Sequence, residues 1–231
     1  MIRKSLAVGA LVLFLIALAA GQDSHYDAGI NFGGAFGKTT TGNGVTQSTT
    51  TGSDLFGTFR FRFNRRHAVA ISIGRMKDSQ IYQTNHDFHV LTNITEYSGA
   101  YIYSPFQNSK FETFIFAGGG ALVFNPQSTW LFYNNNTNNP FGVNQAQVYL
   151  GASKQTEIAF LYGGGLDYQL SAIPYGRNVP LSSHFAFRVQ YRGFLYRDPD
   201  FNLTGAGSLP SFFTGGLGHL AVPSAGLVFK F

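Results

Sequence analysis

Apolar and polar residues alternate one by one in several segments of the chain. Residues 54–64 read Asp-Leu-Phe-Gly-Thr-Phe-Arg-Phe-Arg-Phe-Asn, and in residues 68–74 Val69, Ile71 and Ile73 alternate with small residues. Because successive side chains of a β-strand point to opposite faces, this pattern predicts strands with one apolar and one polar face.

The two segments together predict a β-hairpin that turns at residues 65–67. In the predicted register Phe63, Phe61 and Phe59 lie opposite Val69, Ile71 and Ile73, while Arg62 and Arg60 lie opposite Ala70 and Ser72. A slip of one residue would place arginine opposite isoleucine, so the pattern specifies the two faces strongly.

Similar segments predict eight antiparallel strands, at 26–36, 54–64, 68–76, 90–103, 111–124, 157–170, 183–196 and 219–231. Their lengths suit tilted membrane strands, which need about 9–11 residues. Short connections at 65–67, 104–110 and 171–182 alternate with long polar ones at 37–53, 77–89, 125–156 and 197–218. This is the layout of short periplasmic turns and long external loops in outer-membrane barrels. Since lipid offers the backbone no hydrogen-bond partners, the predicted fold is all-β, an up-and-down transmembrane β-barrel closed on itself.

Residues 129–133 and 147–151 are the basis of an alternative count of ten strands. Both segments are shorter than the roughly nine residues that a membrane strand needs. We therefore predict that they form a hairpin that prolongs an eight-stranded barrel above the membrane.

The alternation also assigns side chains to the two faces of the barrel. The predicted outward residues include Ile30, Phe32, Tyr97, Tyr101, Tyr103, Phe160, Tyr162, Leu166, Tyr168, Phe185, Phe187, Val189, Tyr191, Leu227, Phe229 and Phe231. The predicted lumen residues are Arg60, Arg62, Glu96, Asp167, Gln169, Arg188, Gln190, Arg192 and Lys230. The faces of segment 111–124 stay open, because Phe114 and Phe116 alternate with Thr113, Ile115 and Ala117.

Composition supports a sheet that faces lipid. Charged residues make up 12% of the chain and aromatic residues 16%, whereas soluble domains carry about 25% charged residues. The chain has no cysteine, which excludes disulfides, thiolate metal sites and cysteine nucleophiles. Its net charge of +5 is mild and scattered, so nucleic acid is not a predicted partner.

Residues 1–21 have the three parts of a secretory signal. Arg3 and Lys4 precede a continuous apolar run at 6–20, and small residues follow near Gly21. This run is short for a membrane span, which needs roughly 20 residues. We predict a cleaved signal peptide at 1–21 and a barrel over 22–231.

The last residues, Gly-Leu-Val-Phe-Lys-Phe at 226–231, resemble the C-terminal signature of bacterial outer-membrane barrels. Two glycine-rich segments, at 116–121 and 161–166, together with Tyr191-Arg192-Gly193, are similar to those of small barrels of the outer-membrane protein W and OmpA-like β-barrel-domain superfamily. The resemblance implies that the insertion machinery recognises Phe231 and the last strand. The glycines themselves are expected to permit curvature and close packing rather than to hold a ligand.

An eight-stranded barrel is just wide enough to be filled by its own side chains. We therefore predict a plug of paired charges from Arg60, Arg62, Glu96, Asp167, Arg188 and Arg192. Asp167 is expected to lie diagonally from Arg188, and Glu96 to pair with Arg60 or Arg62. Trp130, Phe132 and Tyr133 are candidates for loop or interface contacts, where a hydrophobic lip would allow small apolar molecules to pass sideways, as the resemblance implies.

The predicted function is non-enzymatic: an integral protein of the cell outer membrane with a surface structural or binding role, or one that passes small apolar solutes. Its predicted partners are outer-membrane lipid and the insertion machinery, and no metal, catalytic residue or cofactor is predicted. His86, Asp87 and His89 are expected to be solvated loop residues. Two alternatives are a rim-active lipid-modifying enzyme, with Ser182, Ser183, His184, His219 and Ser224 as its nearest candidates, and a secreted soluble β-sandwich.

Overall fold

The computed structural model describes residues 25–83, 87–134, 145–149, 152–172, 184–201 and 214–231. The predicted signal peptide lies outside these residues. The described strands are β1 (Tyr26–Gly37), β2 (Thr40–Gly42), β3 (Val45–Thr49), β4 (Gly52–Arg62), β5 (His67–Gln83), β6 (Asp87–Gln107), β7 (Phe111–Asn134), β8 (Gln145–Tyr149), β9 (Gln155–Gln169), β10 (Phe185–Arg197) and β11 (Leu217–Lys230). A short 3₁₀ turn, Leu170–Ala172, follows β9. No helix among these residues has the length and hydropathy of a membrane span.

Eight of the strands close into an antiparallel ring in the order β1, β4, β5, β6, β7, β9, β10 and β11. At the seam β11 pairs with β1, and Tyr26 and Phe231 exchange backbone hydrogen bonds of 3.2 and 2.9 Å. The ring therefore has no free edge within the membrane, as a spanning sheet requires. The predicted eight-stranded barrel is confirmed, and the alternatives of ten strands and of a soluble sandwich are wrong.

The two ends of the barrel differ. One end, here called the turn end, carries both chain ends of the barrel and the tight turns at 63–66 and 108–110. At the opposite end, the loop end, β5, β6 and β7 have 17, 21 and 24 residues, so they continue well past the roughly 10 residues that cross lipid. There β3 pairs with β5, and β8 pairs with the end of β7. This agrees with the predicted hairpin that prolongs the barrel.

The prediction of a long loop at 77–89 is wrong. β5 continues to Gln83 and β6 begins at Asp87, and their residues pair throughout. The inward positions Met76, Asp78 and Tyr82 are all buried. The alternation of faces thus persists beyond the apolar stretch, where polar residues replace aliphatic ones on the outside.

The predicted register of the first hairpin is wrong by two residues. Phe61 lies opposite Val69, and Phe59 lies opposite Ile71. The side chain of Asn64 sets the turn, because its Oδ1 accepts hydrogen bonds from the backbone N–H groups of Arg66 and His67 at 2.9 and 3.0 Å. A shift of two residues keeps every side chain on its predicted face.

The outer surface of the ring is a continuous apolar belt. Ile30 is 69% exposed, Ile71 62% and Phe160 51%, and the remaining members include Phe32, Phe59, Phe63, Val69, Ile73, Tyr97, Tyr101, Ile115, Leu166, Tyr168, Phe187, Val189, Tyr191 and Leu227. A patch of this extent in water would drive aggregation. Contact with hydrocarbon avoids the free-energy cost of exposing these side chains to water. The belt is therefore the surface that faces lipid.

Aromatic rings close the belt at the turn end. Phe231 stacks on Tyr26, with ring centroids 6.0 Å apart, and on Phe229 at 5.8 Å. Phe59 and Phe61 pack against the same Tyr26. The terminal phenylalanine thus contributes to packing across the seam between β1 and β11.

Candidate functional site inside the barrel

The barrel interior near the turn end is filled by charged side chains. This turn-end network consists of the cations Arg60, Arg62, Arg188 and Lys230 and the acids Asp27, Glu112 and Asp167. All of them except Lys230 are buried. Because an unpaired charge in such a place is very costly, the pairing between them is what permits their burial.

Glu112 is at the centre of the network. Its Oε1 accepts a hydrogen bond from Arg62 Nη1 at 2.8 Å and one from the Ser104 hydroxyl at 2.8 Å. Its Oε2 accepts from Arg62 Nη2 at 3.0 Å and from Lys230 Nζ at 3.3 Å. Arg62 also donates to Asp27 at 2.9 Å. These charge-assisted bonds fix side chains from five different strands.

Arg188 and Asp167 form the most regular pair of the network. They lie directly opposite each other on β10 and β9, and Arg188 donates from Nε and Nη2 to the two carboxylate oxygens at 2.6 and 2.8 Å. The guanidinium groups of Arg60 and Arg188 lie 4.6 and 5.2 Å from the centre of the Phe114 ring. The Phe114 ring therefore makes cation–π contacts with two arginines inside the barrel.

A second charged cluster, the central triad, lies nearer the loop end and consists of Asp54, Glu96 and Arg192. Arg192 donates to Glu96 and, at 3.3 Å, to the Ser98 hydroxyl, and its guanidinium lies 4.1 Å from the centre of the Phe56 ring. No side chain among the described residues donates a hydrogen bond to either oxygen of Asp54. The triad has one cation for two acids, whereas the turn-end network has four cations for three acids. The two clusters together therefore have equal numbers of cations and acids, five of each.

Beyond the triad the interior is mainly an apolar core, with the buried polar residues Gln47, Asp78 and Gln80 beside it. Its buried members include Met76, Tyr82, Val90, Ile94, Leu122, Phe124, Phe194, Tyr196, Phe201, Leu220 and Val222. Phe201, which follows β10, packs edge-on against Tyr82 and Phe124 with ring centroids 6.4 Å apart in both pairs. Its carbonyl accepts a hydrogen bond from the Ser153 N–H at 2.9 Å. Residues 198–201, which follow β10, therefore bring Phe201 inward against the core.

Little space remains in the middle of the barrel. The void between the network and the triad has a volume of about 20 Å³ and is lined by Thr58, Ser72, Phe114 and Gln190 among others. This is room for about one water molecule. Phe116 and Phe114 pack over Gly163 and Gly165 of β9. Because these glycines have no side chains, the aromatic rings can occupy the inner face of the sheet there. The described interior is thus packed as a core and not as a pore.

The six predicted lumen charges all lie inside the barrel. Asp167 pairs with Arg188 as predicted, but the predicted partner of Glu96 is wrong. Glu96 pairs with Arg192 rather than with Arg60 or Arg62, because Glu96 lies opposite Gly74 whereas Arg60 lies opposite Ala70, four residues nearer the turn end. Asp167 lies directly opposite Arg188, not diagonally from it.

Sequence analysis missed Asp27, Asp54 and Glu112. A signal existed for Asp27, because Ile30 and Phe32 are predicted to face outward and Asp27 has the opposite parity. Glu112 lies in the segment whose faces the sequence left open. The structure resolves that segment, since Phe114 is buried and Ile115 is exposed.

The remaining candidates do not assemble into one site. Ser224 faces inward and donates to the Gln190 carbonyl, whereas His219 faces outward against Tyr162. His184 stacks on Phe229, and Ser182, Ser183 and His86 lie outside the described residues, as do the side chains of Asp87 and His89. Trp130, Phe132 and Tyr133 have a described backbone, paired with β8, but their side chains also lie outside the described part.

The fold is similar to solved outer-membrane barrels. The crystal structure of Neisserial surface protein A matches with a TM-score of 0.50 and 13% identity, over 90% of this chain and 98% of that one. The outer-membrane protein OprG from Pseudomonas aeruginosa matches with a TM-score of 0.53 and 12% identity, over 91% of this chain and 97% of that one. No family model and no curated protein matches the sequence. The chain therefore has the fold of a small outer-membrane β-barrel, and its apolar belt agrees with a location in the cell outer membrane.

Proposed function

We propose that this protein is a non-conducting, non-enzymatic barrel of the outer membrane that holds its extended loop end as a binding or structural surface outside the cell. The observation that carries the proposal is the filled interior. Paired charges occupy the half near the turn end, an apolar core occupies the other half, and the void between them holds about one water molecule.

The difference between the two ends supports this role. The sheet is extended at the loop end by strands β5, β6 and β7 and by the β2–β3 hairpin. Phe201 packs into the apolar core on this side of the barrel. The turn end has tight turns and a shallow polar mouth of about 410 Å³ that ends on Arg62, Glu112 and Lys230. A rigid scaffold with elaborated loops at one end is the usual arrangement of binding proteins. We infer that the loop end faces the exterior.

Passage of small apolar solutes remains a prediction. The predicted lip of Trp130, Phe132 and Tyr133 has no described side chains. In the described interior, the position for such a molecule is taken by Phe124, Phe194 and the rest of the apolar core.

Planar-bilayer recordings test the filled interior. The purified full chain, inserted at increasing amounts, should give no stable ionic current, because the network and the core fill the interior over the part of the barrel that the structure describes. A general porin, inserted in the same way, shows that the recording detects open barrels. Stable current steps whose frequency rises with the amount of this protein would contradict the proposal.

A further inference from the structure

We propose that an open groove on the outer wall, just beyond the apolar belt, binds the head group of a phosphorylated glycolipid of the outer leaflet. The proposal rests on the outer-membrane location and on the loop end facing outward. It concerns the lipid-facing wall and not the interior.

The groove forms where the strand pairing of the barrel wall is irregular. β3 ends at Thr49 and β4 begins at Gly52, and the register with β5 shifts between them, where the Thr50 N–H donates to the Ser79 carbonyl at 2.9 Å. On the other side, the pairing of β6 with β7 skips Gln127. These two irregularities border an open depression of about 760 Å³, a volume typical of sites for small ligands.

The outward residues of β5 show where the groove lies relative to the membrane. Ile73, 60% exposed, lies beside Tyr97, 51% exposed, as the last apolar pair on this side. Arg75 and Lys77 follow on the same face of β5 and are exposed. The groove thus begins where hydrocarbon gives way to lipid head groups.

The chemistry of the lining fits a phosphorylated sugar. Most of its lining residues carry a hydroxyl or amide group, among them Thr51, Ser53, Ser79, Asn93 and Gln127, and the half-exposed Leu91 adds an apolar wall. Hydroxyl and amide groups both donate to and accept from sugar hydroxyls. Lys77 lines the groove, and Arg75 lies two residues before it on the same face of β5. Neither has an ion-pair partner among the described residues. Two uncompensated cations beside the head-group level attract phosphate.

Asp78 is the one acid in the described lining, and it is 5% exposed. Burial raises the pKa of Asp78 to about 7. A large share of this carboxyl is therefore uncharged at neutral pH, so its repulsion of an anionic ligand is weak.

Native mass spectrometry of the full chain folded in detergent tests the proposal. The probes are bis-phosphorylated lipid A, the same lipid after removal of both phosphates, and phosphatidylglycerol. The wild-type chain should retain lipid A more tightly than the other two lipids. The double variant Arg75→Gln/Lys77→Gln should raise the Kd for lipid A about thirtyfold, because each cation near the membrane surface lowers the Kd about fivefold.

Two further variants distinguish binding in the groove from general attraction between the cationic protein and anionic lipid. Lys110→Gln removes one exposed cation at the turn end and should leave the Kd unchanged. Asn93→Phe fills the groove without changing charge and should weaken the binding of lipid A but not that of phosphatidylglycerol. Migration of unheated samples on a denaturing gel verifies that each variant is a closed barrel.

The proposal is overturned by any of three results from folded protein. They are equal retention of lipid A and phosphatidylglycerol, equal retention of lipid A with and without phosphates, and equal effects of the groove variants and Lys110→Gln. None of these results depends on ionic current, so they leave the proposed non-conducting role to its own test.

Discussion

Replacing Asp167 by asparagine should lower the free energy of unfolding by about 3–5 kcal/mol, the usual cost of breaking a buried ion pair. The substitution keeps the shape of the side chain but removes the charge that Arg188 contacts through two bonds of 2.6 and 2.8 Å. It also leaves the turn-end network with two uncompensated cations instead of one. Urea unfolding of the barrel in lipid vesicles measures the change.

Asp54→Asn is the matched control. Asp54 and Asp167 are equally buried, each 1% exposed, but no side chain among the described residues donates a hydrogen bond to the oxygens of Asp54. Its loss should therefore change the free energy of unfolding by less than about 1 kcal/mol, because no charge-assisted bond is broken. If both substitutions cost the same, burial rather than pairing determines the stability of the interior, and the network as described is wrong.

Replacing Ile71 by arginine should lower the free energy of unfolding by about 2–4 kcal/mol, the cost of a cation at the middle of the lipid face of a barrel. Ile71 is 62% exposed, in the middle of the part of β5 that carries the belt. In a water-soluble protein an exposed isoleucine accepts arginine at almost no cost. The sign and size of this effect therefore depend on lipid contact.

Ser79→Arg is the control on the same strand. Ser79 lies eight residues further toward the loop end, beside Lys77, where the outer surface is polar. Near or beyond the interface an added arginine costs about 0–1 kcal/mol. Equal effects at both positions in vesicle unfolding experiments would show that β5 does not pass from lipid to water between them.

The number of strands and the faces of most of them could be predicted from the sequence, since lipid outside and charge inside force an alternation with a period of two. Strands β4 and β10 are the clearest, with aromatic or aliphatic residues outside and arginines inside. The same alternation indicated that Arg60, Arg188 and Arg192 lie in the lumen.

Other features depend on contacts that an alternation does not encode. The register of the first hairpin is set by the bonds of one side chain, Asn64, to the turn. The ion-pair partners of the lumen charges depend on their positions along the barrel axis. Glu96 and Arg192 lie at the same position along the axis and contact each other across the lumen. The extension of β5 past Met76 was missed because its outer residues become polar, which is also the signature of a loop.

The membrane location of this barrel depends on the outer belt lying in hydrocarbon. Because the chain has no native cysteine, a single fluorophore attached at Ile71→Cys or at Ser79→Cys reports on one position of β5. In vesicles whose lipids carry a nitroxide in the middle of the acyl chain, we expect strong quenching at position 71 and little at position 79. Equal, weak quenching at both positions would place the belt outside the membrane and contradict the account.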